Sequence, residues 1–148
     1  MELKEFNFLL TAAQHNVFLY LKQELAPYDI SPSQYSVLRV LWQTGINTPK
    51  KIAEKLNLET STVSGILDRM EKKGLITREV GLRDRREVRI TITPAGCRLE
   101  RPVLDITGRV NDEILRNFSV AEQESLKCLL YSIIDTNYHT LKKAKAES

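Results

Sequence analysis

Apolar residues recur at steps of three and four from the start of the chain. Leu3, Phe6, Leu10, Ala13, Val17, Leu21 and Leu25 fall on one face of a helix, and Pro27 ends it. Helical spacing resumes after Ser31-Pro32-Ser33-Gln34. There Ser31 can cap, Pro32 has the backbone angle of a first helical position, and Gln34 completes a capping box. A second helix therefore runs through Tyr35, Leu38, Leu41 and Trp42. Thr48-Pro49 repeats the start signal ahead of a short helix with Ile52, Ala53 and Leu56 inward, and Asn57 breaks it. After a turn of a few residues, Thr62 to Lys73 regains the period, with Val63, Ile66, Leu67 and Met70 on one side and Gly74 as the left-handed stop. Two helices joined so tightly predict a helix-turn-helix.

The period then changes from about 3.6 to 2 residues. Leu75 to Val80 and Glu87 to Thr93 read as strands, most clearly where Val88, Ile90 and Ile92 alternate with Arg89 and Thr91, and they form a hairpin around Gly81 to Arg86. Thr93-Pro94 starts a long helix through Leu99, Val103, Ile106, Val110 and Ile114, with a kink expected at Pro102. Ser119-Val120-Ala121-Glu122 is a further capping box, opening a last helix with Leu126, Leu130, Ile133, Ile134 and Leu141 on its apolar side. The predicted fold is mainly α (α+β), in the order α-α-α-α-β-β-α-α.

Composition narrows the class. A chain of 148 residues with 42% hydrophobic and 28% charged residues, 6 Gly and 5 Pro has the make-up of one folded domain, not of a disordered or collagen-like polymer. No stretch approaches the roughly 18 apolar residues of a membrane span, and the start, MELKEFNFLL, lacks a signal peptide's basic opening, so a cytoplasmic location is expected. Cys97 and Cys128 are too few for a disulfide framework, and both are expected to be buried, inert thiols. With His15 and His139 near opposite ends, neither a metal site, a cofactor site nor a catalytic constellation takes shape, and no enzyme activity is expected. The charge is uneven. Ile46 to Thr93 holds 11 Lys and Arg against 7 Asp and Glu, a net of +4, whereas the flanks carry 11 basic and 12 acidic residues, a net of −1.

That basic middle has the chemistry of a duplex DNA binder. A major groove about 12 Å wide admits one helix, whose outer face must offer donors, acceptors and small side chains. Ser61, Thr62, Ser64, Gly65, Asp68 and Arg69 supply them; Arg69 is placed to reach a guanine edge unless Asp68 beside it holds it back. Arginine forks bind phosphate and fit a narrow minor groove, and Arg83, Arg85 and Arg86 crowd the hairpin tip GLRDRR.

The run IAEKLNLETSTVSGILDRMEKKGLI, followed by DRREVRITITPAG, resembles the turn, recognition helix and wing of the MarR-family transcriptional regulators. Asp84 and Arg86 match the family's D-x-R wing signature, and Ile92-Thr93 stands where Leu-Thr is usual. The resemblance implies a single MarR-like domain over residues 1–148. Within it lie a winged helix-turn-helix core at 46–93 and dimerisation helices at 1–30 and 94–143. It implies a homodimeric repressor of an inverted-repeat operator, with Asp84 fixing the wing through an arginine. It also implies release by a small phenolic or aromatic effector, for which Phe18, Tyr35, Leu38, Trp42 and Arg109 are the candidate pocket residues. The family's oxidant-sensing branch carries a reactive cysteine in its first long helix, and this sequence has none there. The alternative reading is a winged-helix protein-interaction module without sequence-specific DNA binding.

Overall fold

The structure, a computed structural model, describes residues 5–81, 83–84, 87–136 and 146–147. Leu3, His139 and Leu141 lie outside them. The chain forms two compact units, Met1–Val110 and Asn111–Ser148.

In the first unit, helix α1 (Phe6–Leu25) runs into a 3₁₀ turn (Ala26–Tyr28) that carries Pro27. Asp29 then takes a left-handed φ of 54° and redirects the chain. Helix α2 (Pro32–Thr44) starts on the expected capping box: Ser31 Oγ accepts from the Gln34 amide at 3.1 Å, and Gln34 Oε1 accepts from the Ser31 amide at 3.1 Å. Thr48 caps α3 (Pro49–Leu56), and Asn57, at φ 54°, ends it. Helix α4 (Thr60–Lys72) starts two residues earlier than its apolar period suggests, and Gly74, at φ 73°, turns the chain into the hairpin. Strands β1 (Ile76–Val80) and β2 (Val88–Ile92) pair antiparallel from Ile76 opposite Ile92 to Val80 opposite Val88.

The expected long helix after Thr93 is two helices, α5 (Pro94–Arg98) and α6 (Glu100–Ile114). Pro102 explains the break. It has no N–H for the Arg98 carbonyl and its ring clashes there, so the chain breaks at Leu99 and Pro102 sits in the first turn of α6, where no intrahelical donor is required. There is thus a break upstream of the proline and not a kink within one helix.

Leu25, Val37, Leu38, Ile52, Val63, Leu67, Met70, Ile76 and Val103 are fully enclosed in this unit. Each contributes about 2 kcal/mol by leaving water. Hydrogen bonds join several polar side chains beside the core. The buried Tyr35 hydroxyl donates to Thr107 Oγ1 at 3.3 Å and accepts from Arg39 at 3.1 Å, joining α2 to α6. Trp42 Nε1 donates to the Gly96 carbonyl at 3.2 Å, and Thr93 caps α5 while donating to the Gly74 carbonyl at 2.6 Å. At Gly96, α5 comes close against the Leu75 carbonyl and the Ile92 side chain.

In the second unit, helix α7 (Val120–Asp135) opens on the expected Ser119–Glu122 capping box. The Glu122 carboxyl lies below its ordinary pKa of 4.5 because the Ser119 amide and hydroxyl hydrogen-bond to it. No residue of α7 is buried. Cys97 and Cys128 are both exposed, contrary to the expectation of burial. Cys97 follows the inward-facing Gly96 on a single short helix, and Cys128 lies on α7, none of whose residues is buried.

A Cβ added to Gly96 would strike the Leu75 carbonyl oxygen and come within 2.7 Å of Ile92 Cγ1. Gly96→Ala should therefore cost about 2 kcal/mol in urea unfolding. Gly65→Ala, whose Cβ would meet only Arg69 Nη1 at 4.0 Å, should be neutral or gain up to about 1 kcal/mol. Glu122 has a depressed folded-state pKa, so its contribution to α7 is complete above pH 4.5 and fades as pH falls through the lower folded value. Acid titration followed by circular dichroism should show that loss in the wild type and not in Glu122→Gln.

Candidate nucleic-acid interface

Helices α3 and α4 are joined by three residues. The left-handed Asn57 and the bond from the Leu58 amide to the Ala53 carbonyl, at 3.0 Å, make the turn. Val63, Ile66, Leu67 and Met70 are buried, and this ridge fixes the rotation of α4 about its axis. The opposite side shows Thr60, Ser61, Thr62, Asp68 and Arg69 to solvent, with Ser64 and Gly65 half-buried at its margin. Ser61, Thr62 and Ser64 lie within the first five residues of the helix, and no side chain caps its start at Glu59. Helix α4 thus presents hydroxyls, unsatisfied amide donors and the positive end of its dipole together. Gly65 leaves space at mid-helix, with the Arg69 guanidinium beside it.

The hairpin next to α4 is pinned along both edges. On β2, the Ile90 amide donates outward to the Asn47 carbonyl at 2.7 Å. On β1, the Arg78 amide donates outward to Glu71 Oε2 at 3.2 Å, and its guanidinium Nη2 reaches Asp68 Oδ1 and the Ser64 carbonyl, the latter at 3.3 Å. Asp68 is thus paired with Arg78 and its neighbour Arg69 is left outward. Beyond Val80 the loop closes through the Gly81 amide to the Glu87 carbonyl at 2.7 Å and the Glu87 amide to the Asp84 carbonyl at 3.0 Å. Gly81 is required there, since a Cβ would stand 2.8 Å from the Asp84 carbonyl oxygen. Arg83 and Asp84 are exposed at the tip, and Arg89 pairs with Glu87 at 3.0 Å. Arg85 and Arg86, the other two expected groove contacts, lie outside the described residues.

The expected effector residues differ in their surroundings. Tyr35 and Leu38 are core residues, Phe18 and Trp42 are half-buried, and the Trp42 indole is committed to the Gly96 carbonyl. Arg109 is exposed and lines an open depression of about 580 Å³ with Tyr28, Pro102, Asp105 and Ile106. Sequence reasoning missed the role of Arg78, which counted only as another basic residue of the hairpin. Period-two alternation from the buried Ile76 places it on the inward side of β1, the signal that could have found it. Among the described residues no three His, Cys, Asp or Glu side chains converge as metal ligands, and no helix is long and apolar enough to cross a membrane.

Comparison with known proteins agrees with this geometry. The MarR family profile matches residues 30–88. The organic hydroperoxide resistance transcriptional regulator of Bacillus subtilis is 35% identical over 129 residues, covering 87% of this chain and 86% of that protein. The structure of the Staphylococcus aureus MepR–DNA complex superposes with a TM-score of 0.80 at 27% identity, over 88% of this chain and 96% of that one. The organohalide-sensing regulator RdhR, in its 2,4-dichlorophenol-bound form, gives 0.82 at 26% identity, over 90% and 80%. With a winged helix-turn-helix of this geometry and relatives along most of its length, the chain belongs to the MarR family of DNA-binding transcriptional regulators.

Proposed function

We propose that the protein is a homodimeric, cytoplasmic repressor that recognises an inverted-repeat operator and releases it when a small phenolic or aromatic effector binds. The observation that carries this reading is the juxtaposition of a polar, uncapped α4 face with a hairpin pinned against it, so that one duplex can meet both. Ser61, Thr62, Ser64, Gly65 and Arg69 form the major-groove face. Asp68 borders it, its charge opposed by Arg78. Arg83, Arg85 and Arg86 serve the flanking minor groove, with Asp84 structuring the tip.

The dimer reading rests on apolar surface. Phe6, Phe8, Leu9 and Leu10 are exposed on α1, and Leu129, Tyr131 and Ile134 on α7. A solvated monomer would leave these side chains in water, and a second copy, meeting helices 1–30 and 94–143 through a two-fold axis, would bury them. Release by an effector is supported by the dichlorophenol-bound relative. Within this chain, the depression lined by Tyr28, Pro102, Asp105, Ile106 and Arg109 offers a cation and a carboxylate beside apolar walls, a chemistry that suits a phenol whose hydroxyl meets both charges. The chain's first cysteine is Cys97, so a thiol switch in the first helix is not part of this reading.

Selection from a random duplex pool should enrich an inverted repeat with half-sites about 10 base pairs apart, and no enrichment over random sequence would overturn the reading. Binding should fall at least about 100-fold between 50 and 200 mM salt as counterions return to the phosphates. Gly65→Ala should weaken specific binding about tenfold without loss of stability, since its methyl group stands on the groove-facing side. Leu129→Glu should convert the dimer to monomer in sedimentation and abolish cooperative binding of the two half-sites, with the far-ultraviolet spectrum unchanged.

A further inference from the structure

We infer that Arg78 is a positioning residue for DNA binding: it braces the wing against the recognition helix and cancels the charge of Asp68, and it does not itself contact the duplex. This inference deepens the DNA-binding reading and rests on it. Three points on α4, at Ser64, Asp68 and Glu71, receive bonds from this one residue of β1. Their spacing of four and three puts them on a single helical face, the one turned toward the hairpin. Main chain and side chain act together. The Arg78 amide would otherwise be an open donor on the edge of β1, and Glu71 satisfies it, while the guanidinium spans to Asp68 and the Ser64 carbonyl. The Nε atom is buried with no acceptor among the described residues, which places the base of this side chain inside the packing. An arginine held in this way has few donors left for phosphate. Arg83, at the tip, makes no hydrogen bond or ion pair with any described residue and is exposed.

The brace matters because the wing is a lever. Arg83 lies five residues beyond Arg78, about 16 Å along an extended strand, so a swing of about 10° at the root moves the tip by about 3 Å. A minor groove is only about 6 Å wide, and such a displacement takes the tip out of register with it. Asp68 adds an electrostatic reason. Unpaired, its carboxylate on the groove-facing helix would repel the phosphates that the neighbouring Arg69 is placed to approach.

Two variants separate angle from charge, and one measurement needs no DNA. Arg78→Met removes both functions, and Arg78→Met with Asp68→Asn restores the charge balance alone. On the operator selected by the wild-type chain, Arg78→Met should bind at least about tenfold more weakly. Its salt slope should be lower in magnitude by about 1 for each phosphate that the wing no longer neutralises, and hydroxyl-radical protection flanking the half-sites should disappear while central protection persists. The double variant should recover part of the affinity but not the flanking protection, and Arg78→Lys, a point charge without the fork, should not restore that protection either. Nitroxides at Lys72→Cys and Arg83→Cys, in a Cys97→Ser, Cys128→Ser background diluted with unlabelled protein, should give a narrow distance distribution that Arg78→Met broadens. Unchanged flanking protection in Arg78→Met, or rescue by Arg78→Lys, overturns the inference, as does an unchanged distance distribution. A wild-type chain that selects no duplex would instead overturn the DNA-binding reading, and the distance measurement would still decide whether the brace exists.

Discussion

The ridge of Val63, Ile66, Leu67 and Met70 constrains everything else in the DNA-binding half of the molecule. A helix locked into a core along one stripe has no freedom to rotate, so burying those four side chains decides which residues face outward. Ser61, Thr62 and Arg69 are exposed as a direct consequence. A rotation that buried Arg69 would strand a charge in the core and expose Val63 or Met70, and both changes are unfavourable by several kcal/mol. Core packing thus specifies which face of α4 is turned outward. The same ridge fixes where the hairpin can sit, because Asp68 and Glu71 lie next to it and supply the acceptors for β1.

Chain punctuation was the most legible layer. Ser31, Thr48, Thr93 and Ser119 each cap the helix expected of them, because a cap is a local event within four residues and owes little to tertiary context. The left-handed stops at Asn57 and Gly74 are equally local. The α5–α6 break was not read, although its cause is also local. The apolar period continues through Leu99 and Val103 across it, so periodicity alone joins two helices where the missing donor of Pro102 separates them. Helix α4 and the two strands of the hairpin followed from pattern. Arg78 did not stand out, because a sequence shows five arginines close together and only alternation from a buried strand residue tells which one turns inward.

The surroundings of the effector candidates were less legible, because an aromatic residue in an apolar pattern signals burial without saying which polar partner its hydroxyl or indole N–H will find. Tyr35 is spent on a buried hydroxyl chain from Arg39 through Thr107, and Trp42 on the Gly96 carbonyl. These bonds tie α2 to α5 and α6, and so serve rigidity. Arg109, by contrast, is exposed and lines an open depression.

The two kinds of contact also divide by energy. An ion pair such as Arg78 with Asp68 is partly exposed, with side-chain exposures of 27% and 60%, and pairs of that kind add little to stability, about 0–1 kcal/mol. The Tyr35–Thr107 bond and the packing around Val103 are enclosed, where a broken partner costs about 1–3 kcal/mol. Substitutions in the enclosed set therefore act by unfolding the protein, whereas the surface brace can be removed with the fold intact. The exposed face of α4 thus follows from a buried ridge, whereas the hairpin is held to that helix by a partly solvent-facing pair at its root, so the two can be perturbed separately by substitution.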